Sequence, residues 1–149
     1  MKSPETYVGR HKAEHFASPG GVAVNRTRAY AVPPRLRLNQ WALSGDWTVK
    51  TEAAVLNTAG GRIAYRFHAR DLHFIMGPSD RRGTVSFRVL IDGQPPGATH
   101  GSDVDDQGKG TVTEPRLYQL IRQSGPIADR QFEIEFFDSG VEAFAFTFG

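Results

Sequence analysis

Arg66, His68 and Arg70 alternate with Tyr65, Phe67 and Ala69 in the run Tyr65-Arg66-Phe67-His68-Ala69-Arg70-Asp71-Leu72-His73-Phe74. Period-two alternation of large apolar residues marks a strand with one buried face, so the three cations form a row of donors on a rigid sheet. Arg116, Tyr118 and Arg122 on a second strand extend the same chemistry. Guanidinium forks and a phenol hydroxyl on adjacent strands suit a ligand rich in hydroxyl or carboxylate groups. The same row also fits a wet sheet surface, paired through ordinary surface ion pairs with Glu133, Glu135 or Glu142.

Trp41 and Trp47 frame the word Trp-Ala-Leu-Ser-Gly-Asp-Trp. A flat aromatic ring can take the apolar C–H face of a sugar while neighbouring polar groups bind its hydroxyls. The Leu43/Val49 alternation puts both rings on the apolar face, which favours core packing. Trp41, nearer a strand end, is the stronger ligand candidate of the two. Asp103, Asp105, Gly108 and Glu114 fall at positions 1, 3, 6 and 12 of a calcium-loop register. Gln107 offers a neutral oxygen at position 5, and Gly101 and Pro115 flank the run where helices would stand. Calcium is therefore a possible cofactor, against the alternative of an acidic hairpin loop whose Asp side chains cap its own turns. His11-Lys12-Ala13-Glu14-His15 spells H-x-x-E-H. A catalytic zinc needs a third protein ligand and a built cleft, so this word reads as a solvated helix face. No nucleophile elbow, phosphate loop or convincing carboxylate dyad occurs, and an enzyme is not expected.

The elements that must position these residues are short strands. They are expected near 36–43, 47–56, 62–69, 72–76, 84–91, 116–122, 131–137 and 141–148, punctuated by Gly60-Gly61, Gly77-Pro78, Asp92-Gly93 and Ser139-Gly140. The spacing is that of an all-β antiparallel sandwich. Val85, Phe87, Val89 and Ile91 form one buried face, and Phe132, Ile134 and Phe136 another. The last strand has two plausible faces, Phe144/Phe146/Phe148 and Ala143/Ala145/Thr147. Ahead of the strands, residues 5–16 read as a short helix or ordered leader anchored by Tyr7, Val8 and Phe16. The domain boundaries expected are a leader over 1–35 packed on a sandwich over 36–149.

At 149 residues one domain can bury roughly 70% of its unfolded surface without disulfides or metal. The chain has no cysteine, which excludes thiol chemistry within it. No apolar run approaches the roughly 20 residues of a membrane helix, and the first residues lack a signal-peptide core. Residues 1–40 hold seven Lys/Arg and two Asp/Glu, whereas 41–149 hold eleven and fourteen. The basic residues of the leader are spread among Pro and Val rather than clustered with aromatics, so nucleic acid is not the expected partner.

The words Glu5-Thr6-Tyr7-Val8-Gly9, Asn39 to Trp47, Tyr65 to Leu72, Ile91 to Gly97, His100 to Asp105, Arg116 to Arg122 and Val141 to Gly149 resemble the carboxy-terminal domain of DipZ-type proteins. The resemblance runs from about Pro4 to Gly149. It implies a jelly-roll (galactose-binding-like) sandwich similar to carbohydrate-binding modules, outside the bacterial cytoplasmic membrane. In that family, associated with cytochrome c biogenesis, the domain follows a membrane electron-transfer domain and a thioredoxin-like domain. Neither the thioredoxin-like part nor its Cys-x-x-Cys is present here, so redox activity does not carry over. The chain reads as an excised domain or a stand-alone relative, and Met1 followed at once by the opening word favours the former.

Two functions follow as expectations. The first is a non-catalytic module that binds an envelope glycan or glycosylated protein through Trp41, Arg66, His68, Arg70, Tyr118 and Arg122, with Asp103 and Asp105 on a rim loop. The second is an interaction module that docks on the thioredoxin-like domain, in the same or a partner chain, through the leader and its Tyr7/Phe16 anchors. An open Arg66/His68/Arg70 face would favour the first, and a face lying under the leader the second.

Overall fold

The computed structural model describes residues 2–9 and 14–149. Eleven antiparallel strands run in the order β1 (Thr6–Tyr7), β2 (Thr27–Tyr30), β3 (Trp41–Val49), β4 (Ala54–Leu56), β5 (Arg62–His68), β6 (Asp71–Pro78), β7 (Val85–Ile91), β8 (Lys109–Val112), β9 (Arg116–Arg122), β10 (Asp129–Phe136) and β11 (Val141–Phe148). They form a jelly-roll sandwich. One sheet, here sheet A, is ordered β2-β3-β4-β11-β6-β9, with β1 added to β11. The other, sheet B, is ordered β8-β7-β10-β5-β3. Among the described residues no helix is long and apolar enough to cross a membrane.

β3 belongs to both sheets. Its first half, Trp41 to Ser44, pairs with β5, and its second half pairs with β2 and β4. The turn between them is at Gly45, whose φ of +100° lies in the region that favours glycine. A Cβ there would sit 2.9 Å from the Cα of Gly61. Residues 36–43 and 47–56 are therefore not two separate strands, as the sequence suggests, but one long corner strand followed by a short one. Sequence cannot show which partner each half will meet.

The core lies between the sheets. The alternation read in β7 and β10 is the one observed: Val85, Phe87, Val89, Ile91, Phe132, Ile134 and Phe136 are all buried. In β11 both expected faces are used, because the pairing with β6 shifts between Ala143 and Ala145. Such a bulge flips the inward parity. Ala143 is buried ahead of it and Phe146 after it, and Phe144 turns outward. Phe146 stacks on Phe74 with centroids 4.3 Å apart.

The leader is woven into this architecture. Thr6 and Tyr7 pair with Phe146 and Ala145, and residues 27–30 pair with 45–48. No helix spans 5–16: Thr6 and Tyr7 are extended, Glu14 and His15 form a turn with His15 at φ +62°, and 10–13 lie outside the described residues. Backbone pairing to β11 outweighs the weak helical propensity of so short a segment. Farther on, Leu36 packs on Ala42 and Ala64 on the outer side of sheet B, joined by Ala17 and Val32.

Candidate functional site

The outer face of sheet B carries the arginine row. On β5 the outward residues are Arg62, Ala64, Arg66 and His68, lying opposite Glu135, Glu133, Gln131 and Asp129 of β10. Arg62 reaches Glu133 at 3.5 Å and Glu135 at 3.3 Å, and Arg88 of β7 reaches Glu135 at 3.4 Å. His68 Nδ1 bonds Asp129 at 2.7 Å. Arg70, in the β5–β6 turn, donates through Nε and Nη2 to Oδ2 of the nearly buried Asp71. Arg66 is different. Set between Gln131 and Gln40, it makes no side-chain hydrogen bond or ion pair within the described residues. The face is half covered: Leu36 lies over Ala42 and Ala64, and the Ser3 hydroxyl accepts the His68 N–H at 2.8 Å.

The other expected members of that row are elsewhere. Trp41 is completely enclosed; Phe16 packs edge-on at 4.8 Å, and the indole N–H donates to the Glu14 carbonyl at 2.8 Å. It has no ring face to offer a sugar. Trp47 is equally buried. Tyr118 lies in the core, where its hydroxyl accepts the N–H groups of Thr113 and Glu114 and donates to the Glu114 carbonyl at 2.7 Å. Its ring lies under the Arg116 guanidinium, 3.8 Å from the centroid. Arg122 is exposed at the end of β9 in sheet A, opposite Asp71. Arg66 and Tyr118 thus sit on different sheets, because strands 62–69 and 116–122 do not pair with each other.

The acidic loop closes strand edges. Asp103 accepts the Gln119 N–H at 2.7 Å with one oxygen and the Arg116 guanidinium at 2.8 Å with the other. The Arg116 hydrogen bond holds its carboxyl below the ordinary range, with the Gln119 amide adding to the effect and partial burial opposing it. Asp105 Oδ1 accepts the N–H groups of Gln107 and Lys109, and its own N–H donates to the Lys109 carbonyl. Glu114 is largely exposed and turned toward Arg116. Both aspartates thus serve the open edges of β9 and β8, and among the described residues no three His, Asp or Glu side chains group as metal ligands. For the H-x-x-E-H word, His11 lies outside the described residues. The Glu14 and His15 carbonyls hold the indole and backbone N–H of Trp41.

Sequence reasoning missed the outer face of sheet A. Tyr7, Ala145, Ile75 and Leu117 stand side by side across β1, β11, β6 and β9. Tyr7 and Leu117 are 38% and 39% exposed, well above ordinary buried apolar residues of this chain. Phe144, Ile75 and Ala145 line a groove of about 280 Å³ with Tyr7, Gly9, Thr51 and Glu52. The Tyr7 hydroxyl donates to Glu5 at 2.8 Å, and that carboxylate raises the phenol's pKa. The signal available was phase: Leu117 is out of step with inward Tyr118 and Leu120.

A family described as the thioredoxin like C-terminal domain matches residues 3–149. The chain belongs to this family. Protein DipZ of Mycobacterium bovis and of Mycobacterium tuberculosis are each 26% identical over 147 residues, or 99% of this chain and 18% of theirs. This member of the family therefore spans under a fifth of the length of the curated relatives it matches. Among solved structures, a family two carbohydrate esterase from Cellvibrio japonicus is similar with a TM-score of 0.47 at 12% identity, over 63% of this chain and 25% of its own. CsCBM6-3 from Clostridium stercorarium, solved in complex with cellobiose, is similar with a TM-score of 0.43 at 13% identity, over 99% and 93%. Without a cysteine, this thioredoxin-associated domain performs no thiol–disulfide exchange of its own.

Proposed function

We propose that the chain is a non-catalytic docking module that holds a thioredoxin-like domain, in the same polypeptide or in a partner, and shapes which substrates reach it. The observation that carries this is the contiguous apolar row Tyr7–Ala145–Ile75–Leu117 with Phe144 beside it, spread over four rigid strands. Tyr7 and Leu117 are exposed at its two ends, and Ile75 and Phe144 are half-buried around a buried Ala145. An apolar strip left partly open on a sandwich face is a physical mark of a protein contact. Membership of a family described as the thioredoxin like C-terminal domain supports a thioredoxin-like domain as the occupant. Where a thioredoxin-like domain precedes this one in the polypeptide, it enters beside β1: Ser3, held by His68 and Asn39, is within about 14 Å of chain from Tyr7. A tether that short gives a high effective concentration at the row. The setting is extracytoplasmic.

Titration of the ¹⁵N-labelled chain with a cognate thioredoxin-like domain tests this. Amides of Tyr7, Ile75, Leu117 and Phe144 are expected to shift, and Ile75→Glu or Leu117→Glu to weaken binding at least tenfold. Binding that ignores both substitutions would sink the proposal.

A second reading, saccharide binding on the outer face of sheet B, is favoured by Arg66, whose side chain has no bonding partner among the described residues and lies beside Gln40 and Gln131 while Arg62 and His68 are paired. Thermal unfolding against envelope oligosaccharides tests it, and a panel without a shift removes it.

A further inference from the structure

Phe137 is 46% exposed, although it directly follows the buried Phe136 at the start of the β10–β11 hairpin. The hairpin backbone on either side of the ring is tied down. Phe137 N–H donates to the Ser86 carbonyl at 2.8 Å, and Asp138 accepts the Ser86 N–H at 2.8 Å. Gly60 N–H bonds the Phe136 carbonyl, the Ser79 hydroxyl bonds the Gly140 carbonyl, and Gly140 N–H bonds the Leu56 carbonyl. An aromatic ring is thus held out in water by a fixed backbone.

The ring borders a basin of about 410 Å³ that it shares with Ser86, Phe87, Lys109, Gly110 and Thr111. Ser86 and Thr111 face each other across β7 and β8, with Lys109 one outward position away. All three are exposed, and neither hydroxyl nor the ammonium is bonded within the described residues. Arg62 and Arg88, farther along the same face, are by contrast paired with carboxylates. The chemistry is one flat apolar ring amid unengaged polar groups. The other exposed large apolar residues, Tyr7, Leu117 and Ile127, lie outside this basin. A peptide partner would call for more apolar surface than a single ring. A pyranose, with one C–H face and a rim of hydroxyls, matches it.

We propose that Phe137, Ser86, Thr111 and Lys109 form a saccharide subsite, the phenyl ring stacking on the sugar's C–H face while the hydroxyls and ammonium bind its oxygens. This rests on the saccharide reading above and moves its centre from Arg66 to the β7–β8 end of sheet B.

The test follows thermal unfolding of the whole chain, with cellobiose, maltose, trehalose and N,N′-diacetylchitobiose each at about 10 mM. A disaccharide bound with a Kd near 1 mM raises Tm by about 3–5 °C. The rise is expected to vanish in Phe137→Ala and in Phe137→Leu, which keeps the bulk without the flat ring, and to shrink in Thr111→Val. Amide shifts should centre on 86, 109–111 and 137–138. A rise that survives both Phe137 variants but is lost in Arg66→Ala overturns this subsite and leaves the saccharide reading standing. No rise with any of the four sugars overturns the subsite and the reading together.

Discussion

Asp103 shows how one side chain can resemble a metal ligand and do another task. Each of its oxygens has a protein partner, Arg116 or the Gln119 amide, so Asp103→Ala should cost about 1.5–3 kcal/mol, the range for hydrogen bonds to a charged group. The sign of its pH dependence follows from the depressed carboxyl. Above the ordinary carboxylate value of about 3.9 the contribution is fully present. As pH falls through the lower folded value the native state takes up the proton, and the contribution is lost. Urea unfolding of wild type and Asp103→Asn from pH 6 to about pH 2 should therefore converge at the acid end. Curves that stay parallel would contradict this role. The spacing of Asp103, Asp105, Gly108 and Glu114 was legible in the sequence, but the partners that take up the Asp103 oxygens come from β9, more than ten residues on.

Among the elements, β3 and β11 decide most of what the faces display. β3 changes sheets at Gly45, where φ is positive and the Gly61 backbone is close. Gly45→Ala combines a left-handed backbone with a clash against main chain, for an expected loss of about 1–3 kcal/mol. Denaturant midpoints should fall with an unchanged slope; a neutral outcome would mean that the corner can relax. In β11 the bulge between Ala143 and Ala145 puts Phe144 outside and Phe146 inside. Periodicity exposed the ambiguity of that strand but could not resolve it, since a bulge leaves no trace in an alternating pattern.

For the molecule as a whole, the leader is structural. Val8, Tyr30 and Phe16 belong to or pack against the main core, and Thr6 bonds the buried Tyr65 hydroxyl at 2.6 Å. Each buried large apolar side chain contributes about 1.5–3 kcal/mol, and a domain's whole margin is about 5–15 kcal/mol. A fragment starting at residue 36 is therefore expected to lose cooperative thermal unfolding and near-UV signal. A fragment that melts sharply would show that the sandwich stands without β1 and β2. The same weaving pairs β1 with β11 within sheet A, so the strand that helps complete the core also supplies one end of the proposed docking row.

The sequence by itself determined the class of fold, the inward faces of β5, β7 and β10, the absence of thiol chemistry and, through its words, the family. These depend on period-two patterning and residue identity, which are local. The tertiary structure decided which side chains share a surface. Arg66 and Tyr118 part company because their strands lie in different sheets, and Trp41 is sealed because Phe16 and Glu14 fold back over it. Tyr7, Ile75 and Leu117, from three distant stretches, meet because β11 and β6 lie between β1 and β9. Strand order is fixed by the sum of long-range pairings and the burial they achieve together, and no single stretch of chain encodes that sum.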